Sequence, residues 1–415
     1  MAVVTNTDPN ALLAEVMLTP AGRADPYPRY AAIREQVAAF RSTIGVVVVT
    51  RYEDCQWVLR DARFGKGESR AAWKRHGLTE QQWIERYPAL GRRRASSLLD
   101  MNPPDHTRLR RLVSKAFTPR TVERLRPDIV RLTDGLLDQF DGTIDVIHDL
   151  ARVLPITVIG EMLGVPPSDR ADLHPLVRDL VRTIEPGASL EQLDAGERAS
   201  EAIAARFTEL ISERRLAPTD DLLSELVHVE AGDDRLSQAE LVSTIALLFG
   251  AGFETTTNFI GNGLLALLDH PDQLQRLRDD RSLLGLAVDE LLRWDTPVQA
   301  AGRAALDDVD VHGLEVRSGE QVALMLGSAN RDPRTFNDPD QLDIGRVGPP
   351  PMSFGAGIHH CLGAALARAE GQVVLDRLLD RFPVIEPAWG AERPRFSDSI
   401  ILRGLKTLPI RLASS

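Results

Sequence analysis

The chain has 415 residues, 43% hydrophobic and 26% charged, which is enough apolar mass for a large core and excludes a disordered or fibrous class. A net charge of −11 argues against nucleic acid as a partner. Two cysteines, Cys55 and Cys361, exclude a disulfide framework and fit a reduced, cytoplasmic setting.

Residues 1–30 are broken by Asp8-Pro9 and Pro20 and carry no basic flank joined to an apolar stretch, so they read as neither signal peptide nor membrane anchor. GVVVVTR, from Gly45 to Arg51, is the first strand signal. Cys55 follows in YEDCQWVLRD, where it reads as a small buried hydrophobe. From Phe64 to Met101 the chain is polar, with GKGES and GRRRASS inside it, and is expected to be a long functional loop or lid. Helical periodicity then dominates, from Val122 to Phe140, Leu190 to Leu216, Gln238 to Leu268, Leu283 to Trp294 and Cys361 to Phe382. Short strands are expected near 308–316 and from Gln321 to Leu326. With no linker, repeat or low-complexity tract, the expectation is one continuous domain over residues 1–415, mainly α (α+β).

Four segments carry chemistry. In DHTRLRRLVSKAF, His106 and Arg110 share a helix face with Val113 and Phe117, while Arg108, Arg111 and Lys115 form a second stripe. That second stripe is open between a solvated face and a dock for an acidic electron donor. ELVSTIALLFGAGFETTTNFIGNGLLALL reads as one helix of roughly 30 residues and ~45 Å, apolar all round and therefore central. Its middle carries Gly250-Ala251-Gly252 and Glu254-Thr255. Each interior glycine costs about 1 kcal/mol against alanine, and a carboxylate in a buried helix costs more unless it has a partner. Small residues would leave room for a ligand over a flat cofactor, and a loosened turn would host water. The competing reading is the cap of a second helix.

In DELLRW, Glu290 and Arg293 are three apart on one face, with Leu291, Leu292 and Trp294 leaving little exposed surface. Finally, Phe354-Gly355-Ala356-Gly357-Ile358-His359-His360-Cys361-Leu362-Gly363 presents a cysteine on a glycine-rich turn at the start of an amphipathic helix pattern. A helix N-terminus favours an anion, here a thiolate. The glycines let backbone approach a flat ligand and the sulfur.

This last run resembles the haem-binding loop of the cytochrome P-450 superfamily, FGxGxHxCxG, at every defining position. AGFETT resembles that family's oxygen-activation motif, DELLRW its ExxR pair, and ANRDPRTFNDPDQLDIGR the segment that adds a further arginine, for which Arg346 is chosen. The motifs follow family order over nearly the whole chain. The resemblance implies a helix-rich body with small β-sheets and heme b (iron protoporphyrin IX) between the long helix and the Cys-loop helix. Cys361 is then the axial ligand of the iron. His106, Arg110, Arg303 and His359 would hold the propionates, and Ala251, Phe354, Gly355 and Gly363 would line the haem. Glu254 and Thr255 would be catalytic, handling O2 and its protons, and Glu290, Arg293 and Arg346 structural.

The activity implied is insertion of one oxygen atom into a bulky apolar molecule, by hydroxylation or epoxidation, in secondary metabolism. Macrolides or other polyketides, terpenoids and steroids are the expected classes. The substrate walls would come from Leu247, Gly250, Ala251, Val298 and Ile400, and the roof from the 64–101 loop and the connection from Asp179 to Leu193. Arg92, Arg93 and Arg94 would favour an acidic or carrier-bound substrate if they faced inward. Electrons would come from NAD(P)H through a ferredoxin and a ferredoxin reductase docking on Arg108, Arg111 and Lys115, with no membrane involved. A peroxide-driven peroxygenase and a non-catalytic thiolate-haem sensor are the alternatives, and neither needs the acid–alcohol pair.

Overall fold

The computed structural model describes residues 8–67, 73, 76–116, 118–231 and 234–413. Helices account for most of them, with small sheets. Several boundaries move from the sequence expectation for identifiable reasons. The helix expected from Val122 runs Pro119–Leu137, because proline at a first helical position loses no hydrogen bond. The last helix is Ala364–Arg381, so Cys361 precedes it instead of opening it. The long helix is continuous over Gln238–Asp269, without a second cap or a break at its glycines.

The largest correction concerns the expected 64–101 loop. Residues 68–72, 74 and 75 lie outside the described residues, but Glu80–Arg86 and Pro88–Ala95 are helices. Thr79 and Gln82 cap the first reciprocally. The second starts on Pro88, and the Glu197 carboxylate accepts from the Ala89 and Leu90 amides at 2.6 and 2.9 Å. A remote carboxylate therefore supplies the N-terminal cap, and nothing local announces it.

The described residues group into two compact units. The first comprises the chain up to Gly67, Thr133–Val153 and everything from Thr255 on; the second comprises residues 68–132 and Leu154–Glu254. The first unit holds a five-stranded sheet in the order Ala39–Arg41, Val47–Val49, Gln321–Leu324, Ala301–Ala305, Phe64–Gly65. Only the pairing of Val47–Val49 with Gln321–Leu324 is parallel. Val47, Val49, Val322 and Leu324 pack from it against Tyr52, Cys55 and Val58 of the helix Tyr52–Arg60. A three-stranded sheet joins Val384–Pro387, Pro409–Ala413 and Gly142–Asp145.

The second unit is helical, with Pro167–Arg182 and Leu190–Leu216 as its largest elements beside the first half of the long helix. Ser189 and Gln192 form a capping box at the start of Leu190–Leu216. No helix among the described residues is long and apolar enough to cross a membrane.

Candidate functional site

In the first unit, the loop before Ala364 is closed by the Cys361 amide, which donates to the Phe354 carbonyl at 2.9 Å. Two glycines make that closure possible. Gly355 and Gly357 have φ of 66° and 70°, and a Cβ on Gly357 would run into the Leu59 carbonyl oxygen. The thiol of Cys361 is exposed, and Gly363, the N-cap of Ala364–Arg381, leaves that helix start without a side-chain cap. The positive end of the helix therefore lies next to a group that can become an anion. Cys55 shows the opposite environment: it is fully buried, its Sγ donates to the Val49 carbonyl at 3.6 Å, and burial pushes its thiol up. On the other flank of the loop, Phe354 lies under the Arg368 guanidinium at 4.4 Å, and Asp289 holds that arginine at 2.7 Å.

The structure brings Glu290, Arg293 and Arg346 together. Glu290 accepts from Arg293 Nε and Nη2 at 2.7 and 2.8 Å, from Arg346 Nε at 3.1 Å and from the Asp343 amide at 2.9 Å. Arg293 spends Nη1 on the Asn330 and Pro339 carbonyls, both at 2.9 Å. Asn330 continues the chain of bonds: its Oδ1 accepts from the Met352 amide at 2.6 Å, and its Nδ2 donates to Ser353 Oγ at 3.0 Å. Ser353 Oγ in turn donates to the Leu292 carbonyl at 2.7 Å. The ExxR helix is thus tied to the residues that begin the cysteine loop. Sequence reasoning missed Asn330 and Ser353, which belong to no spacing rule.

Arg303 is buried on the strand Ala301–Ala305, opposite Val322. Its Nη1 donates only to the neighbouring Gly302 carbonyl at 2.9 Å, and burial lowers it to about 10. No carboxylate among the described residues pairs with it, so an anionic group would repay its desolvation. His359 lies on the short turn Gly357–His359 within the loop. Val298 and Ile400 are neighbours in the same unit, because 297–299 and 401–403 run side by side through the Val298–Leu402 bridge and the Gln299 amide to Ile401 carbonyl bond at 2.9 Å.

The long helix carries the rest. Ala251 is exposed in the middle of a helix that is otherwise largely buried, with Leu247, Glu254 and Thr255 half-buried around it. Gly250 does not face open space. A Cβ there would sit 3.2 Å from Val177 Cγ1, and one on Gly252 would sit 3.1 Å from Ile159 Cγ1. The glycines allow close helix packing; of the two expected wall residues on this turn, Gly250 is buried and Ala251 is exposed. Of the neighbouring threonines, Thr257 has committed its hydroxyl to the Ala151 carbonyl at 2.8 Å.

In the second unit, the helix Asp105–Ala116 buries His106, Leu109 and Val113 and half-buries Arg110, while Phe117 lies outside the described residues. Its other stripe is only partly as expected. Arg111 and Lys115 are exposed, but Arg108 is half-buried and ion-paired with Asp234, at 3.0 Å, and with Glu240. Two neighbouring carboxylates neutralise it, which leaves Arg111 and Lys115 as the exposed cations of that stripe.

Within the first unit these groups fit heme b: a soft thiol beside a helix N-terminus, and a buried guanidinium that pairs with no carboxylate among the described residues and suits a propionate. One buried group was not anticipated. Glu370, on Ala364–Arg381, is 1% exposed, its Oε2 makes no hydrogen bond, and burial pushes its carboxyl up to about 8. Its sequence context, ARAEGQ, gives no sign of this.

Comparisons with known proteins give the family. A family model described as cytochrome P-450 matches residues 189–411. Cytochrome P-450 107B1 of Saccharopolyspora erythraea is 42% identical over 400 residues, covering 93% of this chain and 95% of its own. The polyketide biosynthesis cytochrome P-450 PksS of Bacillus subtilis is 37% identical over 383 residues, covering 92% of each. Among solved structures, P-450 BioI in complex with hexadec-9Z-enoic acid ligated acyl carrier protein is similar with a TM-score of 0.88 at 38% identity, covering 95% of this chain and 99% of that one.

Proposed function

The chain belongs to the cytochrome P-450 family and is a haem-dependent monooxygenase with that family's mainly α fold, and on that premise we propose how its own residues do the work. Bound haem supplies the iron at which O2 is reduced and one oxygen atom passes to substrate. Cys361 holds that iron as a thiolate, favoured by the helix start behind it. The observation that carries this reading is the exposed Cys361 thiol on a loop closed by its own amide and by two positive-φ glycines. Arg303 and His359 in the first unit, and His106 and Arg110 in the second, hold propionates. Ala251, Phe354, Gly355 and Gly363 shape the surfaces against the ring. Thr255 presents its hydroxyl to dioxygen and passes protons at Oγ1, and the half-buried Glu254 carboxylate supplies them from solvent. Glu290, Arg293 and Arg346 keep the loop in place.

The electrons come from NAD(P)H through a ferredoxin and its reductase, and Arg111 and Lys115 form the dock. The protein acts in the cytoplasm as one haem domain over residues 1–415. Its substrate is a bulky, mostly apolar molecule of secondary metabolism. Leu247, Ala251, Val298 and Ile400 contact it; they carry no charge, so affinity there comes from apolar burial. Similarity to the polyketide-biosynthesis relative supports that class. Cys361→Ala tests the assignment. The wild type is expected to show the red-shifted ferrous–CO band of thiolate ligation and the variant to lose it; an unchanged band overturns the assignment. Thr255→Ala is expected to keep oxidising NAD(P)H while diverting the electrons to peroxide, and unaltered product per NAD(P)H would assign the protons elsewhere.

A further inference from the structure

Within the second unit, a cavity of about 340 Å³ opens among the helices Pro88–Ala95 and Leu190–Leu216 and the first turns of the long helix. Its size suits a small ligand or part of one. Leu180, Ile203, Val242 and Ala246 make most of the wall apolar. Two polar atoms of lining residues are shielded from solvent and make no hydrogen bond: Arg93 Nε and Gln238 Oε1. A native structure satisfies nearly all such atoms, and an unused donor on a cation is the costlier kind to leave.

Arg93 is also fixed in place. Its helix is held by Glu197 on the Ala89 and Leu90 amides, and just before it Arg86 pairs with Asp194 at 2.7 Å. Burial lowers the proton affinity of the guanidinium, Arg94 adds to that effect, and Asp100 alone opposes it without outweighing burial. No ion pair is formed with Arg93 among the described residues. On the rim, Arg92 adds a second cation and Glu201 an exposed carboxylate, so the balance of the lining is cationic.

We propose that this cavity anchors a carboxylate borne by an otherwise apolar substrate, with Arg93 as its ion-pairing partner. Rotation of the Gln238 amide puts its NH2 where its oxygen stands, giving a second donor to the same anion without change of shape. The apolar body then lies against Ile203, Val242 and Ala246 of the cavity wall. The bulky apolar substrate expected from the sequence becomes an acid with an apolar body, one of the two classes expected if Arg92, Arg93 and Arg94 faced inward. The proposal narrows the substrate of the monooxygenase reading and rests on it.

The test uses the haem-loaded protein and compares dodecanoic acid, methyl dodecanoate and the dodecanoyl thioester of phosphopantetheine, by calorimetry and by Soret shift. The acid is expected to bind at least about tenfold more tightly than the ester, the size of a charge-assisted hydrogen bond. Arg93→Gln is expected to erase that difference and Arg93→Lys to restore part of it. Equal binding of acid and ester, an acid preference that survives in Arg93→Gln, or preference for the thioester each overturns the proposal. Unfolding temperature and the ferrous–CO band of each variant show that it is folded and loaded. Heat of binding without the thiolate band would count against the monooxygenase reading and not against Arg93.

Discussion

Around Glu290 in the first unit, buried charges are spent on one another: one carboxylate takes two arginines and a backbone amide, and Arg293 goes on to donate to main-chain carbonyls. Around Arg93 in the second unit, two residues that line a cavity, Arg93 and Gln238, each hold a buried polar atom with no hydrogen-bond partner among the described residues. Both regions hold polar groups out of water at a cost. In the first the cost is repaid within the chain, which makes a scaffold. In the second it is left open, which makes a place for something else. Arg303 is of the second kind although it sits in the first unit, and Glu370 departs from both: its Oε2 has no hydrogen-bond partner among the described residues, and burial pushes its carboxyl up to about 8.

The sharpest way to break the contrast is Glu290→Ala. It would leave Arg293 as an uncompensated buried charge, at a cost of roughly 3–5 kcal/mol, and little folded, haem-loaded protein is expected. Near-wild-type thermal stability would show that the network is not a scaffold. Next, Gly357→Ala forces a side chain against the Leu59 carbonyl at a positive φ, whereas Gly355→Ala meets a positive φ and open space. The first should abolish the thiolate ferrous–CO band. The second should keep it and cost about 1 kcal/mol. Equal effects would mean that conformation and not the close approach shapes the loop.

Glu370 sharpens the contrast through pH. Its folded-state value of about 8 lies above the ordinary 4.5, so between these limits the folded chain binds a proton that the unfolded chain lacks. Wild-type stability should therefore fall as pH rises through that window, by at most ~1.4 kcal/mol per unit, and level off above it. Glu370→Gln removes the titration, so its stability advantage should grow up to about pH 8. A pH-independent difference in unfolding temperature would show that the carboxyl is already charged. The smallest effect is expected at the surface. Arg111→Glu with Lys115→Glu should slow reduction by ferredoxin several-fold at low ionic strength, and salt should shrink the gap. Arg108→Gln should mainly lower stability, because that guanidinium is already held by Asp234 and Glu240.

What was legible beforehand is what depends on neighbours along the chain. The cysteine loop, the acid–alcohol pair and the i, i+3 spacing of Glu290 and Arg293 are each written within ten residues. The helix Leu190–Leu216 was readable end to end, because its periodicity and its cap are local. The helix Pro88–Ala95 was hidden in a polar stretch, since its cap is the carboxylate of Glu197, more than a hundred residues away. The same reason hid the bonds from Asn330 to Met352 and Ser353.

The amino-acid sequence by itself determined the chemistry: which thiol is presented, which acid and hydroxyl share a turn, which charges have the spacing to pair. Local geometry suffices for these, because residues close in sequence have few ways to stand apart. Only the tertiary structure decided which polar groups are satisfied. Arg293 and Arg93 are the same residue type, yet one meets a carboxylate and carbonyls and the other lines a largely apolar cavity. Burial and partnership are set by elements far apart in the chain, so the division between scaffold and binding wall is a property of packing.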